Sequence, residues 1–228
     1  AIIMDGNRRW ASKHLRSRRF GHWVGAENAE HILEWCHELG IKVVTIYILS
    51  TENLERSPDE IKELLEIIEE RLKGLLNDGR VHRYRIKVKS LGTLSHLPES
   101  TRRLLEDLEV ATKDYSDRFL NIAIAYGGRT EILEGVRKIA EKVYDGRLKP
   151  REIDLKTVEA HLYTAHLPNP EPDLIIRTSG EERLSGFLLW QGAYSELVFM
   201  DVYWPDFRKI DLMRAIRTYN KRSRRFGR

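Results

Sequence analysis

The chain opens with Ala1-Ile-Ile-Met-Asp-Gly-Asn-Arg-Arg-Trp10, and the reading of this stretch decides the fold. The apolar run from Ala1 to Met4 does not alternate with polar residues, the pattern of a strand buried on both faces. Residues just past such a strand stand at the carboxyl edge of the sheet, where open α/β folds bind their ligands. There Asp5 could hold a divalent cation and Gly6 lets the backbone come close to a ligand. Arg8 and Arg9 offer forked donors to phosphate oxygens. An ordinary strand-to-helix turn has the same outline, so the remaining sequence has to discriminate.

Moving outward, strands alternate with helices. Residues 26–39 have helical spacing closed by Gly40, and Val43 to Leu49 is a second apolar strand. Ser57-Pro-Asp-Glu60 carries a capping-box signature, with proline at the first position of a helix that runs to about Leu76. Asp78-Gly79 reads as a turn and Arg85 to Leu91 as an edge strand. A helix over 98–112, a strand from Phe119 to Ala125, a helix from Thr130 to Tyr144 and a short helix near 155–163 follow. Beyond the linker Pro168-Asn-Pro-Glu-Pro172 come a strand from Leu174 to Arg177, a helix over 186–194, a strand from Leu197 to Val202 and a basic helix over 208–223. This order implies an α/β fold, a single domain over residues 1–228, with a mainly parallel central sheet flanked by helices. The proline-rich linker is read as a loop, because too few elements follow it to build a second core. In a parallel sheet all carboxyl ends share one edge. Asp5 to Trp10, Ser50 to Arg56, Gly127 to Arg129 and Arg177 to Ser185 are therefore expected to converge.

Among the 228 residues, 41% hydrophobic and 32% charged is a globular balance. No apolar run approaches the roughly 20 residues of a membrane span. The chain starts in a strand without an initiator Met, so residues preceding Ala1 are expected in the full protein. The single cysteine, Cys36, fits a small buried helical residue in a reducing compartment. Residues 8–19 carry six Lys/Arg and no acid, and residues 208–228 carry nine with one acid. Positive charge at two ends of an otherwise acidic chain suits a site for a charged anion better than a nucleic-acid surface. The chain has no G-x-x-x-x-G-K-[ST], no G-x-G-x-x-G after a strand, no H-E-x-x-H, no G-x-S-x-G and no Asp-Asp pair. What survives is an arginine-rich site with one or two carboxylates, suited to diphosphate binding and ionisation with Mg²⁺.

The strings themselves resemble one family throughout. Met4-Asp-Gly-Asn7 with Arg9-Trp10-Ala11 is similar to the opening motif of the cis-prenyltransferases, the undecaprenyl (polyprenyl) diphosphate synthase family. Further matches follow in the same order. They are Arg18 to Gly25, Ser50-Thr-Glu-Asn53 with Arg56, Tyr126-Gly-Gly-Arg129, Arg177-Thr-Ser-Gly-Glu-Glu-Arg-Leu-Ser185, Phe187-Leu-Leu-Trp-Gln191 with Glu196, and the terminal Arg225-Phe-Gly227.

The resemblance implies a Mg²⁺-dependent transferase that condenses isopentenyl diphosphate with an allylic diphosphate, farnesyl or geranylgeranyl. Its product would be a Z-polyprenyl diphosphate, precursor of a glycosyl carrier lipid. Asp5 would be the catalytic carboxylate that holds the metal. Gly6, Asn7, Arg9, Arg18 and His22 would bind the allylic diphosphate with Arg8, and Trp10 would line the site. Arg177, Arg183 and Ser185 would hold the isopentenyl diphosphate beside Leu184. Asn53, with Ser50 nearby, would assist removal of the proton, with a diphosphate oxygen or water as its acceptor. Thr51, Glu52, Leu54 and Arg56 complete that loop at the substrate. Glu196 would join the metal as Glu196 of the partner subunit in a homodimer. The product chain would need an apolar tunnel, with the Ile61–Leu76 and 98–112 helices as candidate walls. The enzyme is expected in the cytoplasm, peripheral at the membrane surface and without nucleic-acid partners. Arg8, Leu54 and Glu182 depart from the bacterial pattern, which usually has Gly, often has Trp and often carries His there. The first and last look archaeal or eukaryotic. The rival reading is a non-catalytic partner subunit of a heteromeric prenyltransferase, which the presence of Asp5, Asn53, Arg177 and Arg183 argues against.

Overall fold

A computed structural model describes residues 1–222. The terminal Arg225-Phe-Gly227 string and Ser223, the expected end of the basic helix, lie outside them. Six parallel strands form one sheet: β1 (Ile2–Ile3), β2 (Val43–Ser50), β3 (Ile86–Leu91), β4 (Arg118–Tyr126), β5 (Leu174–Arg177) and β6 (Glu196–Phe199), in the order β3-β4-β2-β1-β5-β6. The helices are α1 (Asn7–Lys13), α2 (Arg18–Glu38), α3 (Pro58–Leu76), α4 (Gly79–Arg83), α5 (Glu99–Ala111), α6 (Gly128–Tyr144), α7 (Leu155–Glu159) and α8 (Lys209–Lys221).

Side chains alternate across each strand, so neighbouring residues feed two cores. Ile2, Ile46, Ile122 and Ile176 pack toward Ile32 of α2, Leu64 and Ile68 of α3, and Leu105 of α5. Ile3, Tyr47, Ala123 and Ile175 pack toward Phe187 and Leu188 on the other face. The chain leaves β1 toward β2 and returns on its other side as β5. The carboxyl end of β1 is therefore a topological switch point, where such sheets open a crevice.

Several local expectations are corrected. Residues 7–13 form a helix, and α2 begins at Arg18, eight residues before its expected start. Ser17 caps it, its hydroxyl accepting from the Phe20 N–H at 3.2 Å. The expected capping box at α3 does not form, because the Ser57 side chain makes no cap bond and Glu60 turns to arginines instead. Asp78 caps the short α4 rather than making a simple turn. Residues 186–194 are a series of turns and not a helix. Gly186 and Leu188 have φ of 79° and 44°, left-handed values that a right-handed helix does not accommodate. β6 ends at Phe199, before Val202.

Candidate active site

Asp5, the first polar residue after β1, is fixed from both sides. Its N–H donates to the Thr178 hydroxyl at 3.0 Å, and that hydroxyl donates to the Asp5 carbonyl at 2.6 Å. Arg177, at the end of the neighbouring β5 and only 4% exposed, donates to Asp5 Oδ2 at 2.8 Å. Arg9, one turn along α1, reaches the same oxygen at 3.4 Å. Burial opposes ionisation of Asp5, but the Arg177 hydrogen bond and charge, the Arg9 charge and the Ser179 hydroxyl outweigh it. Together they hold the carboxyl below its usual range. Gly6 makes the turn possible. Its φ is 109°, and a Cβ there would stand 2.9 Å from the Tyr203 ring.

A second charge cluster centres on Glu60, which is 3% exposed. Arg18 donates to it at 2.9 Å and Arg56 at 3.1 Å, while Arg8 lies 3.6 Å away. One buried carboxylate thus gathers three guanidinium groups from α1, α2 and the end of the Asn53 loop, and the cluster stays net positive. His22 sits beside them. Burial, then the charge of Arg56, with Arg8 and Arg18 adding to it against Glu60, lowers its pKa to about 4, so the ring is neutral near pH 7.

Sequence reading missed Glu60 by assigning it to a helix cap. The available signal was its i,i+4 spacing from Arg56. Thr178, Ser179 and Glu181 were within the quoted loop but had no assigned role. Glu181 receives both Arg9, at 2.8 Å, and Arg183.

Around the end of β2 the register against β4 shifts between Tyr47 and Leu49 and again before Ser50, a kind of irregularity that re-aims side chains beside active sites. Asn53 Oδ1 accepts from the Ser50 N–H at 3.3 Å, and the Asn53 N–H donates to the Ser50 hydroxyl at 3.1 Å. With its carbonyl oxygen so used, Asn53 offers its amide nitrogen as a donor. Arg177 also donates to the Arg183 carbonyl and to the Ser185 hydroxyl, the latter at 2.8 Å.

These groups surround the mouth of one cavity of about 880 Å³. Asp5, Gly6, Asn7, Arg8, Arg9, Arg18, His22, Ser50, Asn53, Arg56, Arg177, Arg183 and Ser185 line it, and its depth is walled by Leu33 of α2, Ile67 and Leu72 of α3, and Leu120 and Ile122 of β4. The α5 helix, expected as a second wall, supplies no lining residue. Five buried polar atoms on this lining have no hydrogen-bond partner among the described residues: Asn7 Oδ1, His22 Nε2, Arg71 Nε and Nη2, and Arg177 Nε. Asn7 is held close by α2, for a Cβ on Gly25 would fall 2.3 Å from its Oδ1.

Other expected residues lie outside the lining. Trp10 turns away, its indole N–H donating to Asp206 at 2.7 Å. The Thr51 N–H donates to the Tyr126 carbonyl and its hydroxyl to Glu52, while Leu54 packs against the main core and Leu184 against the second. Gly127 to Arg129, the fourth expected strand end, does not face the cavity. Gly128 donates to the Gly186 carbonyl at 2.9 Å and braces the turns after Ser185 instead. Glu196 begins β6, at the amino edge of the sheet, where Arg222 donates to it at 2.7 Å. One chain therefore does not bring Glu196 to Asp5.

No cluster of three or more His, Cys, Asp or Glu among the described residues is arranged to enclose a metal. Mg²⁺, however, usually keeps waters and substrate phosphate oxygens and takes only one or two protein carboxylates. The ionised Asp5 on the cavity wall fits that requirement.

Comparison with known proteins agrees with this geometry. The Prenyltransf model of undecaprenyl diphosphate synthases matches residues 3–227. A tritrans,polycis-undecaprenyl-diphosphate synthase (geranylgeranyl-diphosphate specific) of Methanopyrus kandleri is 57% identical over all of this chain and 83% of its own length. The Methanocaldococcus jannaschii protein of the same description is 50% identical over all of this chain and 81% of its own. Among solved structures, lavandulyl diphosphate synthase from Lavandula x intermedia, in complex with dimethylallyl diphosphate, superimposes with a TM-score of 0.94 at 38% identity, covering all of this chain and 96% of that one.

Proposed function

The chain belongs to the undecaprenyl diphosphate synthase family of cis-prenyltransferases, and from that premise we propose its substrates and the work of its residues. The allylic primer is geranylgeranyl diphosphate, the specificity in the names of the archaeal relatives. Isopentenyl diphosphate is the extending unit, and the product is a Z-polyprenyl diphosphate that serves as precursor of a glycosyl carrier lipid. Residues 1–228 act as one catalytic domain. The observation that carries this reading is a single cavity, cationic at its mouth and apolar in its depth. It matches a ligand with a diphosphate head and a hydrocarbon tail.

Arg8, Arg18 and Arg56, gathered by Glu60, point donors at the allylic diphosphate, with Gly6, Asn7, Arg9 and neutral His22 beside them. Arg177, Arg183 and Ser185 hold the isopentenyl diphosphate. Asp5 would hold Mg²⁺, which when bound would supply charge stabilisation on the leaving diphosphate. Asn53 donates to the diphosphate oxygen or water that takes the proton. Held side by side, the two substrates need no further encounter before carbon–carbon bond formation. The tail runs as a tunnel between α2, α3 and the sheet. Trp10, Thr51, Glu52, Leu54 and Leu184 act from around the mouth by supporting the groups that line it. A homodimer brings Glu196 of the partner subunit to the metal. The enzyme works in the cytoplasm at the membrane surface, where its product is released, and it does not use nucleic acid. No described helix is long and apolar enough to cross a membrane.

The test is incorporation of labelled isopentenyl diphosphate with geranylgeranyl or farnesyl diphosphate, in Mg²⁺ or EDTA, with products separated by chain length. Metal-dependent elongation preferring geranylgeranyl diphosphate is expected. No incorporation with either primer would overturn the proposal.

A further inference from the structure

Residues 12–20, where α1 passes into α2, are an unbroken exposed run. At its centre Leu15 is 95% exposed and has φ 52°. Glycine adopts that left-handed conformation without cost, whereas leucine is strained in it. The most exposed large apolar side chain among the described residues is therefore held outward on a strained backbone. Phe20 and Trp23, in the first two turns of α2, are exposed as well, their rings 6.2 Å apart and nearly parallel. Lys13 and Arg16 face aromatic rings rather than carboxylates, 5.8 Å from Tyr203 and 5.5 Å from Phe20. No acidic residue occurs from Gly6 to Ala26. Arg19 is committed to Glu66 and takes no part.

We propose that this corner docks the protein onto an anionic membrane surface, with Leu15, Phe20 and Trp23 entering the headgroup–acyl boundary and Lys13 and Arg16 meeting lipid phosphates. Apolar and aromatic side chains ringed by cations are the composition such an interface takes up. Position supports a lipid over a protein partner. Ser12 and Arg18, which flank the corner in sequence, line the mouth of the cavity, so a hydrocarbon product leaving there meets the bilayer. This last argument rests on the prenyl-transfer reading.

The test is co-sedimentation of the full chain with phosphatidylcholine vesicles, with and without phosphatidylglycerol. The expected result is salt-sensitive binding that favours the anionic vesicles by about tenfold or more. Leu15→Asp, and Lys13→Glu with Arg16→Glu, should each weaken it by a similar factor. Leu15→Gly guards against misfolding, since it should raise the unfolding temperature while lowering vesicle binding. Equal binding to both vesicle types, or variants that bind like the wild type, would overturn the proposal. So would a change in oligomeric size with vesicle binding intact, which would mark a protein interface. Prenyl transfer measured in detergent separates the two readings. Its absence in a wild-type protein that still binds vesicles through Leu15 removes the enzyme and leaves the docking surface.

Discussion

Asp5 and Arg177 meet at 2.8 Å across the carboxyl ends of two adjacent parallel strands, although 172 residues separate them in sequence. The pair keeps a carboxylate ionised at the cavity mouth and a buried guanidinium compensated. Asp5→Asn keeps the shape and removes the charge. Turnover should fall by on the order of a hundredfold or more, while the fold loses about 1–2 kcal/mol. Steady-state rates beside thermal unfolding check both. Because the folded pKa of Asp5 is depressed, its contribution is present above the ordinary carboxylate range and lost as pH falls through the folded value. The acid limb of the variant's stability profile should be shallower.

His22 gives a second pH signature at a different place. Its pKa falls from 6.5 to about 4 on folding, so the unfolded chain binds the extra proton between those values. Stability should be complete above pH 6.5 and decline toward pH 4, by about 3 kcal/mol in total. In His22→Gln that decline should be largely absent in urea titrations at stepped pH.

Glu60 orders three arginines without facing the cavity itself. In Glu60→Gln they lose their common acceptor and splay into solvent. KM for the allylic primer should rise about tenfold with a smaller change in kcat, and KM for isopentenyl diphosphate should hardly move. Initial rates against each substrate in turn distinguish this from a general loss of fold.

Gly25 permits the contact between α2 and Asn7. A methyl group at 2.3 Å from Asn7 Oδ1 has to displace the side chain or the helix. Gly25→Ala should cost about 1–3 kcal/mol and reduce primer binding, read by calorimetric unfolding and by titration with a non-reactive diphosphate analogue.

Much of this was written in short strings. The run before Asp5, the alternation of strands and helices and the polar groups after β1, β2 and β5 gave the sheet and most of the cavity mouth. Other features depended on tertiary contacts. α1 has no apolar period, and the first turns of α2 carry Gly21 and Gly25, poor helix formers that are kept because the two helices cross closely there. Glu60 looked like a cap because sequence shows neighbours along the chain, whereas its partners Arg8 and Arg18 come from other helices. The 186–194 stretch looked helical by composition, and only the backbone reveals its left-handed residues. Gly127 to Arg129 follows a strand at the expected edge, but Gly128 spends its N–H on the turns after Ser185.

The central place of β1 also governs when activity can begin. β1 is two residues long and lies between β2 and β5, so it cannot be completed on one side until Leu174 to Arg177 have been synthesised. A nascent chain emerging from the ribosome therefore holds Asp5 without its arginine for most of its translation. Long-range pairing of this kind is slow to close. Nascent chains that end before Arg177 should be unable to turn over a diphosphate substrate, which confines prenyl transfer to molecules in which β5 is already in place.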